Sequence, residues 1–235
     1  MKEQEQTDYL IDSSAGLPFK GVIFDMDGTL IVSTEADYLA WVKVFANFGK
    51  KLSYDEYHPL LGIKSATVVK HQLGITDEKD IQRVLKDKLD YFVEVITDKP
   101  IKAVAAAEIF LQSLAAYPVK VALATSSRRE KVKLVLEQLG FLQYFDAVVT
   151  GDEVENSKPA PDIFLKAAQR LGLRPKDCLV IEDGPIGVAA AKNAKMKCVA
   201  ITETHAADRL VNADLIIESY LNADFIEISR KLALI

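Results

Sequence analysis

Five short apolar runs punctuate the chain, at residues 21–25, 119–125, 147–150, 178–182 and 197–201, with a sixth candidate at 214–217. Each is about strand length, rich in Val and Ile, and largely unalternated. A strand with one solvated face alternates apolar and polar positions, whereas a strand buried on both faces of a parallel sheet does not. From residue 119 onward the runs alternate with helix-like stretches. Residues 129–139 stop at Gly140, residues 162–171 stop at Gly172, and residues 185–194 follow the fourth run. Strand and helix repeated in this order predict an α/β fold, a doubly wound, Rossmann-like domain on a parallel sheet.

The stretch 33–102 breaks that pattern. Ala36, Leu39, Ala40 and Val44, then Ile81, Val84, Leu85, Leu89 and Phe92, recur at helical spacing with no strand-like run between them. Gly49, Pro59, Gly62 and Gly74 punctuate the segment. A block of helices inserted straight after the first strand predicts a helical cap over residues 33–102, with the α/β core built from 20–32 and 103–235. Residues 1–19 are polar and acidic at first, lack the apolar centre of a signal peptide, and read as a flexible leader.

Composition narrows the function classes. The 235 residues carry 29 basic and 34 acidic side chains, a formal charge of −5. That leaves no basic field for nucleic acid or an anionic membrane surface. No apolar run approaches the roughly 20 residues of a spanning helix, so no membrane partner is expected and a cytoplasmic location is the default. Cys178 and Cys198 lie in or beside apolar runs and read as reduced core residues, since two cysteines make neither a disulfide framework nor a zinc site. An anionic substrate therefore has to be held by local groups.

Candidate groups fall at the ends of the predicted strands. The first run ends in Phe24-Asp25-Met26-Asp27-Gly28-Thr29-Leu30. Side chains two apart on an extended strand project the same way, and ligands of open α/β sheets bind at the carboxyl ends of the strands. Two carboxylates this close repel unless a cation or proton intervenes. The pair fits a divalent metal, a nucleophile with a proton-transfer partner, or a plain acidic turn. Thr125-Ser126-Ser127 closes the second run before a helix, suited to phosphate oxygens or to simple capping. Lys158 sits in a rigid Ser157-Lys158-Pro159-Ala160-Pro161 segment, and Glu182-Asp183-Gly184 ends the fourth run. Magnesium commonly takes one or two carboxylates together with water and substrate phosphate. Acid pair, hydroxyl, lysine and acid pair at one sheet edge make a phosphoryl-transfer set.

These four motifs, with Ile186-Gly187-Val188-Ala189-Ala190-Ala191 after the last, closely resemble the haloacid dehalogenase superfamily over about residues 20–225, in the branch holding β-phosphoglucomutase and small-metabolite phosphatases. The resemblance implies a magnesium-dependent phosphatase acting on a small phosphorylated metabolite such as a sugar or polyol phosphate. Asp25 would take the phosphoryl group, and Asp27 would serve as general acid and then base. Thr125 would bind a phosphoryl oxygen with the following backbone N–H and Ser126, and Lys158 would offset charge. Mg2+ would be held by Asp25, the carbonyl of Asp27 and Asp183, with Glu182 assisting.

Departures from the family pattern bear on the reaction. Val32 replaces an acid common at the hinge, Asp37 replaces a cap-hinge histidine of the mutase, and Ser127-Arg128-Arg129 replaces a Ser-Lys-Asn run. They shift the expectation from a hexose phosphate mutase toward hydrolysis; a catalytically silent binding module is the remaining alternative. Asp27 sets aside the dehalogenases and phosphonate hydrolases, which lack that acid. Within the cap, Gly62-Ile63-Lys64-Ser65 resembles the family's substrate loop, so Lys64 is an expected substrate contact and Arg128 a second anion contact. His58, His71 and His205 read as surface or loop residues, and Trp41, Tyr38, Phe45 and Phe48 as helix packing. A monomer or weak oligomer is expected.

Overall fold

The computed structural model describes residues 17–234. Most of the leader expected over residues 1–19 thus lies outside the described residues. Among the described residues eight strands are formed: β1 Gly21–Phe24, β2 Ile31–Val32, β3 Lys102–Ala103, β4 Lys120–Ala124, β5 Ala147–Val149, β6 Cys178–Glu182, β7 Lys197–Ile201 and β8 Leu215–Ile217. Six of them make one parallel sheet in the order β5-β4-β1-β6-β7-β8. The unalternated runs have their expected cause: every residue of β1 and β6 is buried.

One face of the sheet packs Val22, Phe24, Leu123 and Ile181 against α5 (Ala107–Leu114), α6 (Arg129–Leu139) and α9 (Phe225–Ala233). The other face packs Ile23, Ala122 and Val180 against α7 (Asp162–Leu171) and α8 (Pro185–Asn193). α6 and α7 stop at Gly140 and Gly172, both in the left-handed region that glycine adopts without strain. Phe24 lies level with Leu123 on β4 and Ile181 on β6. The segments that follow β1, β4 and β6 therefore leave the sheet side by side at the point where strand order reverses, the usual ligand crevice of such sheets.

A two-stranded antiparallel ribbon, β2 against β3, joins this core to the helical cap. The cap holds α1 (Thr34–Asn47), α2 (Tyr54–Tyr57), α3 (Ser65–Val68) and α4 (Glu78–Asp98), closed on its own core of Trp41, Val44, Phe45, Ile81, Val84 and Leu85. The buried stripe of α4 runs Ile81, Val84, Leu85, Lys88, Phe92, Ile96, so a lysine occupies the position the apolar pattern gave to Leu89. On α1, Trp41 and Phe45 are buried as expected of helix packing, whereas Leu39, and Phe48 just after the helix, are exposed against expectation. Cys178 and Cys198 are free and buried. Among the described residues no helix is long and apolar enough to cross a membrane.

Candidate active site

At the end of β1, Asp25 is buried and its Oδ1 accepts a 2.6 Å hydrogen bond from Lys158 Nζ. Lys158 also donates to Glu182 Oε1, and its ammonium lies 4.9 Å over the ring of Phe164. Glu182 Oε2 in turn accepts from the backbone N–H groups of Asp183 and Gly184. One buried cation thus spans two carboxylates. Burial raises Asp25, Lys158 counteracts it and Glu182 adds to it, so its carboxyl is pushed up to about 7. Lys158 is held protonated because Asp25 and Glu182 outweigh its desolvation.

Asp183 accepts from Thr29 Oγ1 at 2.7 Å and from Thr204 Oγ1. Burial, with Glu182 and Asp25 nearby, pushes its carboxyl well above the ordinary range. Backbone and side chain approach tightly here. A Cβ at Gly28 would stand 2.2 Å from Asp183 Oδ2, and its φ of +82° lies in the left-handed region. A Cβ at Gly187 would stand 1.7 Å from Glu182 Oε1.

The carboxylate of Asp27 takes a different course from that of Asp25. It accepts from Lys131 Nζ at 2.7 Å, Ser127 Oγ at 2.6 Å and Ser33 Oγ. Burial opposes its ionisation, but Lys131 and these hydrogen bonds hold it below the usual carboxylate value. Lys131 comes from α6 and also reaches Asp37 Oδ1 at 3.3 Å; Lys88 of the cap reaches the same oxygen at 2.7 Å. Tyr57 donates to Asp37 Oδ2 at 3.2 Å. The two lysines sit over the rings of Phe92 and Trp41. Asp37, the departure at the cap hinge, is therefore the joint acceptor between a core lysine and a cap lysine.

Asp25, Asp27, Thr125, Ser126, Glu182 and Asp183 line a single cavity of about 320 Å³ between core and cap, large enough for a small metabolite. Thr125 is buried beside Asp25, and its Oγ1 accepts from the Ser127 backbone N–H. Two expected contacts do not reach the cavity. Lys64 donates to the Val154 carbonyl at 2.8 Å, beside a Thr67–Ser157 hydroxyl contact, so it ties cap to core while its neighbours Gly62, Ile63 and Ser65 line the space. Arg128 is drawn away by Asp152 and Glu130, at 3.4 and 3.5 Å. His58 and His205, read from sequence as surface or loop residues, line the cavity mouth with their rings 4.9 Å apart. Lys88, Lys131 and Ser33 were not expected at the site, whereas Ser127 lies in the Thr125-Ser126-Ser127 run expected there. A lysine within the apolar stripe of α4 is a sequence signal for Lys88.

Of the expected metal set, only the assisting Glu182 is engaged elsewhere. Among the described residues no group of three or more His, Cys, Asp or Glu side chains is placed to hold a metal ion. Glu182 spends both carboxylate oxygens, on Lys158 and on two backbone N–H groups, which withdraws it as a side-chain ligand. Asp25, whose Oδ1 alone accepts from Lys158, the backbone carbonyl of Asp27 and Asp183 remain. The raised carboxyl values of Asp25 and Asp183 mark a deficit of positive charge at that spot, and two carboxylates are the number Mg2+ ordinarily takes alongside water and phosphate. The donor set fits magnesium.

The model of haloacid dehalogenase-like hydrolases matches residues 22–201, which include all these floor residues. The chain belongs to that family. A phosphorylated carbohydrates phosphatase from Thermotoga maritima is 34% identical over 180 residues, covering 74% of this chain and 81% of that protein. Protein SUPPRESSOR OF QUENCHING 1, chloroplastic, from Arabidopsis thaliana is 37% identical over 190 residues, 78% of this chain but 18% of that much longer protein. Among solved structures, a β-phosphoglucomutase from Clostridium difficile superposes with a TM-score of 0.83 at 25% identity, covering 92% of this chain and 98% of that one. Within the haloacid dehalogenase-like hydrolases, this chain's kinship is with phosphoric monoester hydrolases.

Proposed function

We propose that the protein is a Mg2+-dependent phosphatase that hydrolyses a small phosphorylated metabolite, of the sugar or polyol phosphate class, through a phosphoryl group carried on Asp25. The observation that carries this reading is the Lys158 bridge: one buried ammonium, behind the cavity wall, bonded to Asp25 and Glu182, which line a metabolite-sized cavity. Phosphoryl transfer asks for positioning and charge neutralisation above all.

Asp25 attacks phosphorus, the ester P–O bond breaks, and Asp27, which has first taken up a proton from solvent, gives it to the departing oxygen. Water then attacks the aspartyl-phosphate, Asp27 takes the water's proton, and the Asp25 carboxylate is released with inorganic phosphate. Asp25 must be ionised to attack, and the protein alone holds its carboxyl near 7. Bound magnesium supplies the positive charge that keeps Asp25 ionised and offsets the phosphoryl oxygens. Against burial, Lys131 and Ser127 favour Asp27 as the carboxylate, the form that acts as base in the second step. Thr125 and the loop after it orient phosphoryl oxygens.

The likeness to a β-phosphoglucomutase supports a second reading, in which a sugar hydroxyl replaces water as acceptor. Hydrolysis is favoured because Arg128, in the run expected to hold a second phosphate, is paired with acids outside the cavity. Incubation with p-nitrophenyl phosphate and Mg2+ should release phosphate in the wild type and not in Asp25→Asn. Equal turnover by the two proteins would refute the assignment. Conversion of β-glucose 1-phosphate to glucose 6-phosphate without net phosphate release would establish the mutase.

A further inference from the structure

Three basic residues line the cavity: Lys88, Lys131 and Arg209. Lys88 and Lys131 are each paired with carboxylates. Arg209 has no carboxylate partner among the described residues, although the chain as a whole is acidic. It closes a short turn, Ala207–Arg209, that is pinned by the fully buried Leu210 behind it. Its neighbours at the mouth are also nitrogen-rich. His205 lines the same cavity four residues before Arg209, and His58 approaches it from the cap with the ring centroids 4.9 Å apart. His205 Nδ1 is engaged by Thr204 Oγ1 at 2.8 Å and the Asp183 carbonyl at 3.2 Å, which leaves Nε2 without a protein partner among the described residues.

From this arrangement we infer that the mouth of the cavity, formed by Arg209, His205 and His58, binds a carboxylate at the end of the substrate remote from its phosphate. The inference rests on the phosphatase reading and narrows its substrate class to phosphorylated hydroxy acids, sugar acids among them. A guanidinium presents two parallel N–H donors that match a carboxylate, and the imidazoles add further donors. The charge of the cavity favours a carboxylate over a second phosphate. Five acids line it, Asp25, Asp27, Asp37, Glu182 and Asp183, against three bases. A second group carrying one negative charge meets less repulsion there than one carrying nearly two. A cavity of about 320 Å³ also suits a short substrate that spans floor to mouth.

The test compares ligands that differ only at the far end. Asp25→Asn with Mg2+ binds substrate without turning it over, so calorimetry reads affinity directly for 3-phosphoglycerate against glycerol 3-phosphate. The inference predicts about tenfold tighter binding of the acid, the size of one charge-assisted contact at a partly solvated site. In Asp25→Asn/Arg209→Gln that ratio falls toward one, and Arg209→Lys in the same background recovers part of it. A ratio at or below one, or a ratio unchanged by Arg209→Gln, overturns the inference. Tighter binding of fructose 1,6-bisphosphate over fructose 1-phosphate, with no preference for the carboxylate, overturns the choice of carboxylate. Turnover of p-nitrophenyl phosphate by the wild type is scored separately. Its absence refutes the phosphatase reading, while the affinity ratio still decides whether the mouth selects a carboxylate.

Discussion

Lys158 and Asp25 are held 2.6 Å apart across 133 residues of sequence, and the same ammonium bonds Glu182. Removing the cation leaves two neighbouring buried carboxylates without their counter-charge. Lys158→Met is therefore expected to lower kcat by about 10²-fold or more and to reduce stability by about 3 kcal/mol, the scale of breaking a buried pair from one side. Steady-state kinetics and urea unfolding check both. A variant of near-wild-type stability would show that the bridge is not holding the two strand ends together.

Asp27 should matter most where a proton must move. Breaking the ester of p-nitrophenyl phosphate needs little acid help, because the departing phenolate is already stable. Asp27→Asn should then release a stoichiometric burst of nitrophenolate and stall, since hydrolysis of the aspartyl-phosphate still lacks its base. Steady turnover should fall by about 10²- to 10⁴-fold. Stopped-flow absorbance distinguishes this from a uniform slowing without a burst.

Gly187 leaves room for the carboxylate of Glu182. A methyl there would stand 1.7 Å from Oε1, and Glu182 is tied to Lys158 and two backbone amides. Gly187→Ala is expected to cost about 1–3 kcal/mol of stability through overpacking and to reduce kcat by displacing Glu182 from Lys158. Thermal unfolding and kcat are the readouts. A fully active Gly187→Ala would show that Glu182 can move without consequence.

Acid stability has an identifiable contributor away from the cavity. Although desolvation opposes it, Glu153 is held down to about 2 by Arg170, the Thr150 backbone N–H and Arg129. Its ordinary value is 4.5, so this carboxylate stabilises the fold fully above that pH. The contribution is lost as pH falls from there toward about 2. Glu153→Gln should be less stable than the wild type at neutral pH, with the gap closing on acidification. Urea midpoints across the acid range test the convergence.

Much of the fold could be read from local sequence because the core strands are buried on both faces. Cys178–Glu182 and Lys197–Ile201 are formed as the apolar runs predict, and the second run starts one residue later, at Lys120. Asp25, Thr125 and Asp183 were legible for a related reason, since each directly follows a strand, and Lys158 was legible from its compact proline-bounded motif in the loop before α7. The ribbon joining Ile31–Val32 to Lys102–Ala103 is two residues per strand, too short to leave a period. α5 begins after Ala106 with φ of 60°, without a capping side chain, so no start signal precedes it. α9 does carry one, Asp224 accepting from the Glu227 N–H. Lys131 on the core and Lys88 on the cap meet at Asp37 only after the two units close. No pattern within one segment encodes that meeting, nor the pairing of His58 with His205. The same limit explains why Lys64 and Arg128 were expected in the cavity. Their sequence positions are right for it, but nearby acceptors at Val154, Asp152 and Glu130 claim their charge.

The proposal that Asp25 carries the phosphoryl group is tested most directly by acid-quenching the enzyme during turnover with Mg2+ and mapping the phosphoryl adduct by mass spectrometry. The account predicts a phosphorylated peptide whose modified residue is Asp25, accumulating further in Asp27→Asn and absent from Asp25→Asn. Sustained turnover with no adduct at Asp25, or with the adduct on another residue, would contradict it.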